Sequence, residues 1–242
     1  TLLGNEVVSL IRPQIQSHFT TEGGADGAYV LSIQCPTMWM GAANGSFSHG
    51  ENPSVYADVL KACIDHYVAE HPDVDRNRIY LGGCSNGGFM TVHMLIRHPQ
   101  YFAAAYPTCE AFMDQYISDT QIQQLAKENI WIVQSYDDTT VDPKTHCIPT
   151  FQRLIKAGAK NVWMSMFENV VGMDNPGQRL LGHFSWCYLF NDAVTLSQEQ
   201  SEGDVKPSNN GGGSVAPQGH ANIFEWMNAQ VLTEPERVQP QW

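Results

Sequence analysis

"RIYLGGCSNGGFM", residues 78–90, sets four glycines and one serine between an apolar run and a helical pattern that lasts to Pro99. Gly83, Cys84, Ser85, Asn86 and Gly87 satisfy G-x-S-x-G. Five residues are a short motif, and the setting makes it specific. A strand before it and a helix immediately after it are what a nucleophile elbow requires. In such a turn the serine is held in a strained conformation at the carboxyl edge of a sheet, near the positive end of a helix dipole. The glycines let backbone pass close to backbone. The N–H of Asn86 then points to where an oxyanion would form. The competing reading is a phosphate-binding turn. It lacks the lysine of a P-loop and the fuller glycine spacing of a dinucleotide site.

Working outward, apolar runs alternate with helical periods. "GAYVLSIQC" (27–35), "RIYLGG" (78–83), "FAAAYPTC" (102–109), "IWIVQS" (130–135) and "NVWMSMFENV" (161–170) read as strands. Between and after them lie helical patterns over 53–72, 86–99, 118–128, 142–159 and 221–232. Asn52 and Pro53 form a start signal for the first of these, and Gly158 a stop signal for the fourth. The opening, "LLGNEVVSLIRPQIQSHF", also reads as a helix. Strands separated by helices predict right-handed crossovers and a mostly parallel sheet covered on both faces. Residues 197–219, rich in Ser, Gly, Asn and Pro, read as a mobile loop excursion within one domain spanning 1–242.

A serine nucleophile needs a general base, and the base needs an orienting carboxylate. On this kind of fold they follow in the order Ser, Asp or Glu, His. "SYDDTTVDP" follows a strand and offers Asp137, Asp138 and Asp142. Asp142, just before Pro143, reads better as a helix cap. Pattern alone leaves Asp137 and Asp138 open. His183 in "LLGHFSWCY" and His220 in "PQGHANIFEW" are the histidine candidates. His183 sits among aromatics that would hold an imidazole and exclude water, whereas His220 fits the entry to the last helix.

The formal net charge of −12 and the lack of any long Lys/Arg cluster argue against nucleic acid or an anionic membrane as partners. Six cysteines form no C-x-x-C pair and nine histidines no H-x-x-x-H, so spacing supports no metal site, and no cofactor is implied. Cys84 reads as a buried packing thiol or as a disulfide partner, Cys109 being the best candidate on the neighbouring strand. Trp39, Phe112 and Trp186 follow or flank strand ends on the catalytic side and are candidates for an aromatic-walled substrate cleft, or ordinary core residues.

"PTMWM", "NRIYLGGCSNGGFM", "AAAYPTCEAF", "DDTTV" and "GHFSW" resemble the secreted α/β-hydrolase esterases allied to polyhydroxybutyrate depolymerases and feruloyl esterases. The resemblance implies an α/β-hydrolase fold and a secreted or extracytoplasmic protein. It also implies an acid in a D-x-x-V pattern, which selects Asp138, and a base in G-H-x-S-W, which selects His183. Ser85, Asp138 and His183 are then the expected triad, acting on aryl or feruloyl esters, short-chain esters or polyesters. A serine peptidase of the prolyl-oligopeptidase kind and a non-catalytic binding module are the rival readings.

One departure from that family matters. Its second oxyanion donor comes from a loop for which no string precedes "GAYVLSIQC", and its sheet has a strand between those read at 28–34 and 78–82. The chain opens on Thr1, not a start methionine. The expectation is that an N-terminal segment, as a separate chain or a cleaved piece, fills that slot and supplies the second N–H.

Overall fold

The computed structural model describes residues 8–20 and 27–233. Its centre is a four-stranded parallel sheet in the order β1 (Tyr80–Cys84), β2 (Ala104–Thr108), β3 (Ile130–Ser135), β4 (Val162–Phe167). The helices lying wholly within the described residues are α1 (Pro13–Gln16), α2 (Ala57–Glu70), α3 (Asn86–Arg97), α4 (Asp119–Leu125), α5 (Cys147–Lys156), α6 (Trp186–Leu189) and α7 (Ile223–Ala229). A helical crossover joins each strand to the next, α3 after β1, α4 after β2 and α5 after β3, as the alternating pattern predicts for an α/β-hydrolase fold.

Period-two alternation splits the strand residues between two cores. Ile130, Ile132, Val162, Met164 and Met166 face one core with Phe89, Met94, Phe102 and Phe151. Trp131, Val133, Trp163 and Phe167 face the other, with Phe19, Tyr188, Phe224 and Trp226. Helix α2 turns Ala57, Leu60, Ile64 and Val68 inward at helical spacing, and α3 is buried over most of its length. Ser118 and Gln121 close a capping box on α4, and Asn222 accepts the N–H groups of Phe224 and Glu225 to start α7.

Several expectations are corrected. Residues 27–35 belong to no ladder: Tyr29 and Leu31 are exposed, while Ile33 leans on the first core. An extended run becomes a strand only where a neighbour takes its N–H and C=O groups, and among the described residues β1 pairs with β2 alone. Helix α2 begins at Ala57 rather than Pro53, because bridges Gly41–Phe47 and Ala42–Ser54 hold the preceding loop. Asn52 is part of a turn closed by Ser48 Oγ, not a helix cap. Asp142 likewise closes a turn, through Lys144 N–H, and α5 starts only at Cys147. Pro13 interrupts the opening helix, part of which lies outside the described residues.

The segment 197–219 is fastened rather than loose. Along the outer edge of β4, Gln198 N–H donates to Met164 O, Gly212 O accepts Met166 N–H, and Ser208 N–H donates to Met166 O. Ser197 Oγ accepts Met164 N–H, and Gln200 Nε2 donates to Val162 O. The opposite edge differs. Ile79 O accepts Ala103 N–H and Ser85 N–H donates to Thr108 O, so the main-chain groups of Tyr80 and Gly82 face away from β2. All five residues of β1 are half-buried, whereas all six of β4 are buried. Among the described residues no helix is long and apolar enough to cross a membrane.

Candidate active site

Ser85 stands between β1 and α3 with φ 59° and ψ −115°, a left-handed conformation that a non-glycine residue adopts only under strain. Two bonds hold it there: its N–H donates to Thr108 O (3.0 Å) and its C=O accepts Phe89 N–H (2.9 Å). The turn is possible because position 83 is glycine. A Cβ there would lie 2.5 Å from the carbonyl carbon of Gly87.

His183 arrives on a short 3-10 turn, Gly182–Phe184, after β4. Its Nε2 is 2.9 Å from Ser85 Oγ and its Nδ1 is 2.8 Å from Asp138 Oδ2. Asp138 sits in the loop after β3 with its side chain fully buried. Its Oδ1 accepts the N–H groups of Thr140 (2.8 Å) and Val141 (2.9 Å). A carboxylate so placed is an acceptor on both oxygens, so Nδ1 carries the imidazole proton and Nε2 accepts from the serine hydroxyl. Three residues from three separate loops thus form one hydrogen-bonded line. His220, the other histidine candidate, lies after a separate 3-10 turn at the entry to α7.

Asn86 begins α3, where first-turn N–H groups have no partner within the helix. Its side chain does something the sequence did not suggest: Oδ1 accepts the N–H of Trp39 (3.1 Å), tying the 37–56 loop to the elbow. The half-buried Trp39 ring meets Tyr56 edge-on at 6.1 Å. Trp186 lies edge-on to His183, ring centroids 5.5 Å apart, and Phe184 leans on it at 5.0 Å. Phe112 is elsewhere. It is 2% exposed and stacked on Phe89 at 5.1 Å in the first core, so it is a packing residue and not a cleft wall. Cys84 is in register with Thr108, which leaves Cys109 one residue on and facing the other side of the sheet. That geometry does not favour joining them.

Other titratable groups near the sheet end are buried. Glu110, fully enclosed and accepting Phe112 N–H (2.7 Å), is pushed well above the ordinary carboxylate range by burial. Burial likewise brings His93 down to about 4. Among the described residues no three His, Cys, Asp or Glu side chains converge as metal ligands.

Residues 40–124 match the prolyl oligopeptidase family. Comparison with curated proteins gives no match. Among solved structures, a thermostable esterase superposes with a TM-score of 0.52 at 23% identity, over 65% of this chain and 39% of that one. Arabidopsis thaliana SOBER1 gives 0.46 at 16% identity, over 76% and 90%. An acylaminoacyl peptidase from Pyrococcus horikoshii gives 0.39 at 19%, over 47% and 22%. The chain is therefore similar in fold to the esterase, and spans about two-fifths of its length. With the parallel sheet and its crossover helices, this is an α/β-hydrolase fold.

Proposed function

We propose that the protein is a serine carboxylic-ester hydrolase working through an acyl-enzyme. The observation that carries this reading is the unbroken line Asp138–His183–Ser85 at a strained elbow. Ser85 Oγ attacks the ester carbonyl while His183 Nε2 takes its proton. Asp138 holds the imidazole in the receptive tautomer and stabilises the imidazolium. The N–H of Asn86 binds the oxyanion, and collapse expels the alcohol, protonated by His183. Water then attacks the acyl-enzyme by the same route, releasing the acid and restoring Ser85. The Phe184–Trp186 and Trp39–Tyr56 pairs support an aryl-bearing substrate, such as a feruloyl-type ester or an aromatic polyester.

The prolyl oligopeptidase match over residues 40–124 favours a second reading, a serine peptidase. Matched ester and anilide substrates separate the two. Faster turnover of the ester, together with labelling of Ser85 by a fluorophosphonate, supports the first reading. A preference for the anilide would favour the second, and no labelling at all would leave a binding module.

The second oxyanion donor belongs to the same proposal. An extended N-terminal segment, on a separate chain or cleaved from this one, pairs with the outward groups of Tyr80 and Gly82 and turns an N–H toward Ser85. Supporting it are the half-buried edge of β1 and the outward-facing main-chain groups of Tyr80 and Gly82. Adding such a segment is expected to raise kcat by about 10² to 10³ and to slow amide exchange at Tyr80 and Gly82. No change in either would end this part of the proposal.

A further inference from the structure

His183 is carried by a loop, not by a strand, so its distance from Ser85 depends on what fastens that loop. Residues 170–180 form a small hairpin, with Leu180 N–H donating to Val170 O and Gly172 N–H to Gln178 O, both at 2.9 Å, and a bridge between Val171 and Arg179. Arg179 on its returning limb donates to Asp137 Oδ2 at 2.8 Å. The other oxygen of Asp137 accepts Ser135 Oγ (2.7 Å), at the end of β3. Three residues beyond Arg179, the backbone of Gly182 rests on that of Asp137. A Cβ on Gly182 would lie 2.6 Å from Asp137's carbonyl carbon. Asp137 therefore touches the histidine loop at positions 179 and 182, and is itself tied to the sheet.

We propose that Asp137 is a positioning residue which, with Arg179, latches the histidine loop to the end of β3 and so keeps His183 Nε2 in reach of Ser85 Oγ. The inference rests on the esterase reading above. Arg179 is 66% and Asp137 28% exposed at the side chain, and ion pairs of that exposure add little to global stability. A catalytic line is far more sensitive, because displacement by about an ångström can cost up to about 10² in rate. The two effects separate cleanly. A latch acts with one sign, so losing either partner lowers kcat. A through-space field acts with opposite signs, since the carboxylate stabilises the His183 imidazolium and the guanidinium opposes it.

The experiment compares Asp137→Ala, Arg179→Ala and the double variant in turnover of p-nitrophenyl acetate. It also follows the Nδ1–H proton resonance of His183. The latch predicts that each single variant loses about 10-fold in kcat, within the range that small misplacement produces. KM should stay within twofold and the unfolding midpoint should be nearly unmoved. The double variant should be no worse than the poorer single, as for one coupled unit. Arg179→Lys should recover part of the loss, and the Nδ1–H signal should broaden in both singles. Arg97→Ala, which breaks the remote exposed pair with Asp58, should change none of these. Additive losses, pH–rate limbs that move in opposite directions, or a sharp Nδ1–H signal in both singles would overturn the latch. A parent protein that neither hydrolyses the ester nor takes a fluorophosphonate label would instead sink the esterase reading, with the proton resonance still deciding the latch.

Discussion

Replacing Asp138 by asparagine changes one atom, and the structure dictates which way the new side chain must face. Oδ1 accepts two main-chain N–H groups, one from the exposed Thr140 and one, buried, from Val141. Turning the amide NH₂ toward them would set donor against donor twice, at about 1 to 3 kcal/mol for the buried Val141 bond alone. The asparagine oxygen therefore stays there, and its NH₂ takes the place of Oδ2, 2.8 Å from His183 Nδ1. An NH₂ at that point needs an acceptor, so Nδ1 gives up its proton and Nε2 takes one. With Nε2–H pointing at Ser85 Oγ, the base cannot receive the serine proton. The corresponding change in a serine-protease triad lowers kcat by about 10⁴, equivalent to about 5 kcal/mol at the transition state. The fold should survive, because the two main-chain bonds and the side-chain volume are kept. The assay is kcat for p-nitrophenyl acetate, with circular dichroism to verify folding. Asp138→Asn combined with His183→Ala should be little slower than His183→Ala alone, since the two act as a unit. A folded Asp138→Asn variant within tenfold of the parent would refute the tautomer argument. So would a larger loss in Asp137→Asn.

Ser85→Ala should remove fluorophosphonate labelling and all turnover beyond a residual binding contribution, while leaving circular dichroism unchanged; retained labelling elsewhere would move the nucleophile. Asn86→Ala keeps the main-chain donor but frees Trp39 N–H, so KM for aryl esters should rise several-fold with a smaller change in kcat. An unchanged KM would show that the 37–56 loop is held by other means. Glu110 is an acid whose folded-state value is raised above its ordinary 4.5, so its stabilising contribution is complete below that pH and declines as pH rises toward the folded-state value. Glu110→Gln keeps the Phe112 N–H bond and should unfold at a higher temperature than the parent at pH 8 but not at pH 4; equal shifts at both would remove Glu110 as the cause.

The elbow was legible because every feature it needs is local: a strand, a glycine where Gly87 crosses, a serine, and the start of α3. The acid loop was legible to within one residue, since both Asp137 and Asp138 follow β3 and only the partner of each distinguishes them. Asp138 faces His183 and Asp137 faces Arg179, a pairing across 42 residues that no local pattern carries. Phe112 follows a strand end just as a cleft residue would, yet it turns inward against α3, where Phe89 and His93 form its stack. Residues 27–35 have strand composition but no strand, because pairing belongs to two segments and composition to one. The cover on β4 was hidden for a related reason. It is made largely of main-chain groups from a stretch whose Gly and Ser content resembles a linker.

The fastened edge at β4 and the half-buried edge at β1, unpaired in any ladder among the described residues, give the sheet a gradient of local stability, and Ser85 hangs from the weaker end. Strands with few outward hydrogen bonds open at lower free energy than the body of a domain. On warming, the elbow should therefore come apart while β2, β3 and β4 still hold, and heat inactivation should precede the loss of helical signal. The working temperature ceiling of the protein would then be set by one strand rather than by the whole sheet. Stabilising substitutions aimed at the Trp131–Trp226 core would raise the melting temperature without extending catalytic lifetime.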